Sequence, residues 1–168
     1  MTISSHFSAV EWSVLCELPQ RVVASAINAD PMAGIGSIIE EVAGLTQLSQ
    51  GAMERPESEL VQAVFAEYKR DGKGEARTLE LSQQAIENLI PETLQMVAQV
   101  SDLLARSVEP AEAAAFVSWL REAAESTCGA ARSGGILGIG GKRISEAESV
   151  FLAALESAFA TAISLPAE

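Results

Sequence analysis

Apolar residues recur along this chain at helical spacing almost from end to end. Ser8 followed by Glu11 reads as a capping box, in which hydroxyl and carboxylate each satisfy an orphan backbone amide. Phe7 before the cap and Trp12 inside it complete a hydrophobic staple. From there Trp12, Leu15, Cys16, Pro19, Val22, Val23, Ala26 and Ile27 fall three and four residues apart, on one helical face. Pro19 lacks an amide, so a kink or break is expected near Leu18. Asn28-Ala29-Asp30-Pro31 ends the segment, because a residue before proline avoids helical backbone.

A second helix is expected from about Ser37 to Ser49, with Ile38, Ile39, Val42 and Leu45 inward, then a connector from Gly51 to Pro56. Pro56 suits the first position of a third helix, which carries Leu60, Val61, Val64, Phe65 and Tyr68 and stops by Gly72. A fourth passes through Leu79, Ile86, Leu89 and Ile90 and is checked by Pro91; a fifth carries Leu94, Val97, Val100 and Leu104. Pro110 opens a sixth, with Phe116, Val117, Leu120, Ala124 and Cys128 inward and Trp119 read as core. Ser145 and Glu148 form a second capping box for the last helix, whose inward pairs are Val150/Phe151, Ala154/Leu155, Ala158/Phe159 and Ala162/Ile163. No window alternates with period two. The expectation is an all-α, compact bundle of about six to seven helices in a single domain, 1–168. Residues 1–7 are read as a polar tail, 69–77 as a mobile loop and 129–144 as a Gly-rich corner.

Composition narrows the function. With 48% apolar residues and a mean hydropathy of +0.21, the chain can build a core. Its 23 acidic residues against 11 basic ones leave a net charge of −12, which argues against nucleic acid and anionic membrane surfaces as partners. The N-terminal stretch carries Glu11 and Glu17 and no Lys or Arg, the reverse of a signal peptide, and no apolar run is long enough to span a membrane. Cys16 and Cys128 sit on apolar faces and read as buried thiols, so a cytoplasmic location is expected. His6 is the only histidine, too little for a catalytic triad or a common zinc site. No catalytic residue, metal ligand or cofactor is assigned, although Glu122 or Glu125 could serve as a general acid or base if buried beside a cleft.

The least ordinary feature is the run from Gly129 to Gly141, which holds six of the twelve glycines and is followed by Lys142 and Arg143. One reading is an anion-cradling loop at a helix N-terminus, with Gly138, Gly140, Gly141, Lys142 and Arg143 as the ligand-binding candidates. It fits neither a Walker A loop, since Ile136 and Arg143 stand where Gly and Ser/Thr belong, nor a dinucleotide fingerprint. The other reading is a helix-to-helix corner plugged by Ile136, Leu137 and Ile139. A second candidate is Asp30 with Glu40 and Glu41, carboxylates that a helical corner could gather around Ca²⁺ or Mg²⁺. The alternative there puts Asp30 in a local turn and both glutamates on a solvated face. The pairs Glu57/Glu59 and Glu146/Glu148 read as helix-start residues favoured by the macrodipole. Lys69, Arg70, Lys73 and Arg77 read as a solvated basic cluster.

The two Gly-containing corners, 29–36 and 134–141, echo one another and suggest two helix-corner-helix halves. Trp119-Leu120, the corner Gly134 to Gly141, and Ser145 with Glu148 resemble an uncharacterised bacterial family of small all-helical proteins. More distantly, Ala29-Asp30, a glycine turn and Glu40 are similar to the tellurite-resistance TerB-like domains. That resemblance implies duplicated helical halves and acidic residues suited to a divalent metal. Ser133-Gly134-Gly135 departs from it, standing where a second Ala-Asp would be. The leading expectation is a non-enzymatic interaction or structural protein whose partner is an unknown protein or a second copy in a homodimer. The alternative is a TerB-like binding module for a small ligand or divalent cation, at the Gly-rich corner or near Asp30.

Overall fold

The computed structural model describes residues 2–30, 37–70, 83–130 and 144–160. These form a short 3-10 turn, Ile3–His6, and six α-helices: α1 (Ala9–Ile27), α2 (Ser37–Met53), α3 (Glu59–Arg70), α4 (Gln83–Ser107), α5 (Pro110–Ala130) and α6 (Glu146–Ala158). No strand occurs among the described residues. The chain is an all-α bundle.

Both expected capping boxes are present, Ser8 with Glu11 on α1 and Ser145 with Glu148 on α6. The expected proline breaks are not. α1 continues through Pro19, and α4 runs unbroken through Pro91, joining two expected helices into one. An interior proline costs about 3 kcal/mol locally. Buried Leu15, Leu18, Val22 and Val23 around Pro19, and Leu89, Thr93 and Val97 around Pro91, hold those segments helical regardless. α2 also outlasts its expected end at Ser49 and takes in Gly51, while Pro56 lies in the turn before α3. Side chains also bond the carbonyls at the end of α2 and in the turn after it. Arg55 donates to Gly51 O at 3.0 Å, and Gln62 donates to Ala52 O at 2.6 Å and Arg55 O at 3.0 Å.

α5 is the central helix, burying Phe116, Trp119, Leu120, Ala123, Ala124 and Cys128 completely. α2 lies antiparallel against it. Gly44 faces Thr127, Leu48 O accepts the Trp119 indole N–H at 2.9 Å, and Gly51 sits against the same ring. A Cβ on Gly51 would lie 2.8 Å from Trp119 Cδ1, so close helix approach demands glycine there. The inward stripe of α2 is therefore Glu40, Gly44, Leu48, Gly51 and Ala52. Val42, expected inside, is 51% exposed.

Other contacts fix the remaining helices. α3 is capped from α5: the Glu112 carboxylate accepts from Ser58 Oγ at 2.7 Å and from the amides of Glu59 and Leu60 at 3.1 Å each. α4 is joined to α1 by a buried Ser25–Thr93 hydroxyl pair at 2.9 Å. α6 runs alongside α4 in the same direction, its far end tied by Ser101 Oγ donating to Phe159 O at 3.2 Å. The N-terminal residues read as a polar tail instead bury Ile3 and Phe7, the latter stacked on Trp12 at 5.9 Å. Among the described residues, no helix is long and apolar enough to cross a membrane.

Candidate functional site

Ser-x-x-Glu occurs at the start of both α2 and α6, with Ser37 the first residue of α2 before Glu40 and Ser145 the cap of α6 before Glu148. The two glutamates behave differently. Glu148 Oε2 accepts the Ser145 amide at 2.5 Å and the Ser145 hydroxyl accepts the Glu148 amide at 3.2 Å. Glu40 is 1% exposed, yet neither carboxylate oxygen has a hydrogen-bond partner among the described residues. A buried ionised carboxylate without partners is costly enough that such groups usually neutralise. Burial pushes the Glu40 carboxyl up to about 7, and the charges of Glu148 and Asp30 push the same way.

The same charges reach Cys128 near the end of α5. Its thiol is fully buried, 4.0 Å from Ala26 O, and is pushed up to about 12, by burial first and then by Glu148, Glu40 and Glu125. The end of α1 with Asp30, the start of α2 with Glu40, the start of α6 with Glu148 and the end of α5 with Cys128 therefore share one electrostatic environment. Its excess negative charge can be relieved by a proton on Glu40 or by a bound cation. Among the described residues, no three His, Cys, Asp or Glu side chains already stand at ligand spacing for a metal ion.

Of the sequence candidates, Asp30 lies near enough to Glu40 for its charge to push that carboxyl up. Glu40 is not on a solvated face, which corrects that alternative: α2 turns its Glu40–Gly44–Leu48 stripe inward. Glu41 faces differently and raises Tyr68, whose buried phenol is pushed up to about 12 mainly by burial and whose Oη has no partner among the described residues. From sequence Glu148 reads only as a capping and helix-start residue; the repeat of Ser-x-x-Glu after each corner is the signal that pairs it with Glu40. Gly138, Gly140, Gly141, Lys142 and Arg143 lie outside the described residues, as do Lys73 and Arg77.

The remaining candidates are engaged elsewhere. Glu122 is held by Arg55 at 2.5 Å and Ser118 Oγ at 2.9 Å. Glu125 is exposed and lines a shallow depression of about 180 Å³ with Arg121 and Glu156. Lys69 stands 4.7 Å over the Phe65 ring, and Arg70 pairs with Glu67. Cys16 and Cys128 are both buried thiols, as expected.

A larger concavity, about 620 Å³, lies between α4 and α6 at the end of α1, lined by Ile90, Leu94, Ala147, Val150, Phe151 and Ala154 with Glu146 at its edge. Ala29 reaches it too, so its floor adjoins Asp30 and Glu148 in sequence. Val150, expected in the core, is 65% exposed in this groove. No family model, curated protein or solved structure matches the chain.

Proposed function

We propose that the chain is a binding module for a hard divalent cation such as Ca²⁺, Mg²⁺ or Mn²⁺, taken up by the carboxylates of Asp30, Glu40 and Glu148. The observation that carries this is the Glu40 carboxylate, buried and without partners among the described residues. A cation would replace the missing hydrogen bonds and cancel the repulsion from Glu148 and Asp30. Loading would draw the carboxylates closer than they now stand. The resemblance of Ala29-Asp30 and Glu40 to TerB-like domains points to the same chemistry. Thermal unfolding of chelator-treated protein, with and without each cation, tests it at a pH well above 7. A cation at a hundred times its Kd adds about 2.7 kcal/mol, several degrees for a domain this size. The shift should vanish in Glu40→Gln and shrink below pH 7, where the proton competes. A flat response to every cation above pH 7 would sink the reading.

A second reading, a non-enzymatic helical interaction protein, rests on a different observation: the open apolar groove between α4 and α6. For either function the buried thiols of Cys16 and Cys128 suit a reducing compartment, and a cytoplasmic location is part of the proposal.

A further inference from the structure

The groove between α4 and α6 has the form of a helix receptor. On α4, Ile86, Ile90 and Leu94 recur every fourth residue, with Ile86 39% exposed and Ile90 and Leu94 on the groove wall. On α6, Ala147, Val150, Phe151 and Ala154 supply the facing stripe. The α4 stripe runs about 12 Å along its helix, the length of two turns. That matches an amphipathic helix docking side chains at positions i, i+3, i+4 and i+7.

Charge selects among possible occupants. α4 carries Glu87, Glu92 and Asp102 against Arg106 in its last turn, with Glu92 paired to Arg21 at 3.4 Å. α6 carries Glu146, Glu148 and Glu156 and no Lys or Arg, with Glu156 paired to Arg121 at 3.4 Å. Glu146 lines the groove, and Ala29 and Ala147 in its wall are the sequence neighbours of Asp30 and Glu148. The whole chain holds −12. A second copy would bring the same acidic walls against these, whereas a basic helix would meet them with opposite charge. Resting on the reading of the chain as an interaction protein, we infer that the α4/α6 groove receives a basic amphipathic helix of a partner protein, its apolar face against Ile90, Leu94, Val150 and Phe151 and its Lys or Arg residues against Glu146.

Fluorescence anisotropy with three labelled synthetic peptides of about 15 residues tests this. All three share Leu at helical spacing; the other positions are Lys, Gln or Glu. The Lys peptide should bind, and bind at least about ten-fold tighter than the Gln peptide, with an affinity that falls as salt rises. Val150→Glu should weaken it about ten-fold even though the change adds attractive negative charge. Val10→Glu, at a residue 74% exposed on α1, adds the same charge elsewhere and should leave binding unchanged. Equal effects of Val150→Glu and Val10→Glu would mean diffuse electrostatic attraction and overturn the proposal. Equal binding of the Lys and Gln peptides would keep a groove receptor but overturn its basic occupant. No binding of any peptide would remove the interaction reading as well. Concentration-dependent dimerisation abolished by Val150→Glu would assign the groove to a second copy and equally overturn it.

Discussion

Glu40 and Glu148 each follow a serine by three residues near a helix start, and the charge of Glu148 raises the Glu40 carboxyl, but only Glu148 is tied back to its own helix start. Glu148 spends its carboxylate on the Ser145 amide, while Glu40 is equally buried with nothing to accept from among the described residues. That asymmetry leaves one carboxyl of the cluster as the group that proton or cation must satisfy.

Stability should therefore depend on pH through Glu40. Its folded-state carboxyl lies near 7, above its usual value, so the folded chain holds this proton more tightly than the unfolded one. The contribution is complete below the ordinary carboxylate range and is lost as pH rises through 7. A carboxyl held near 7 instead of 4.5 corresponds to about 3 kcal/mol. Without added cation, Glu40→Gln should match wild type in acid and exceed it by up to about 3 kcal/mol above pH 7. Denaturant melts across that range measure the difference, and a difference that stays constant with pH would refute the assignment.

Cys128 should be chemically silent in the native state. Burial and the surrounding carboxylates push its thiol up to about 12, so almost no thiolate exists at neutral pH. Alkylation by iodoacetamide, followed by peptide mass spectrometry, should proceed at the rate of unfolding. Labelling much faster than unfolding would show that the end of α5 opens locally.

Gly44 should resist substitution although it lies inside a helix. A Cβ there would sit 2.7 Å from Val23 Cγ1 and collide with Thr127 Oγ1. Alanine gains about 1 kcal/mol in helix propensity, but overpacking of this kind costs about 1–3 kcal/mol. Gly44→Ala should be net destabilising by chemical denaturation, and adding Thr127→Ala should recover part of the loss. A stabilised single variant would show that α2 and α5 are less closely packed than described.

Glu112 should hold the start of α3 from outside that helix. It accepts the Ser58 hydroxyl and two amides at the start of that helix. Glu112→Ala should cost about 2 kcal/mol, within the range of a lost N-cap, and hydrogen exchange should rise first at Glu59 and Leu60. Uniform loss of protection along the whole chain would instead point to a general packing defect.

Helical class, the two capping boxes, the burial of Trp119, Phe116 and Cys128 and the length of α5 were legible in the sequence, because each follows from local spacing and local hydrogen bonding. The continuity of α1 and α4 through Pro19 and Pro91 was not. The missing amide is a local cost, and only burial of the flanking residues against other helices outweighs it. The face of α2 was misread for a related reason. Three of the five residues on its inward stripe, Glu40, Gly44 and Gly51, carry no apolar signal, and glycine takes an inward place only where another helix comes close. The candidate site follows the same rule. Asp30 and Glu40 could be suspected from their corner, but Glu148 lies more than a hundred residues further along the chain. Sequence by itself determined which segments are helices and which carboxylates are available. Tertiary packing alone decided which carboxylate is stripped of water beside which other charge, since desolvation and charge–charge distance are properties of the assembled helices.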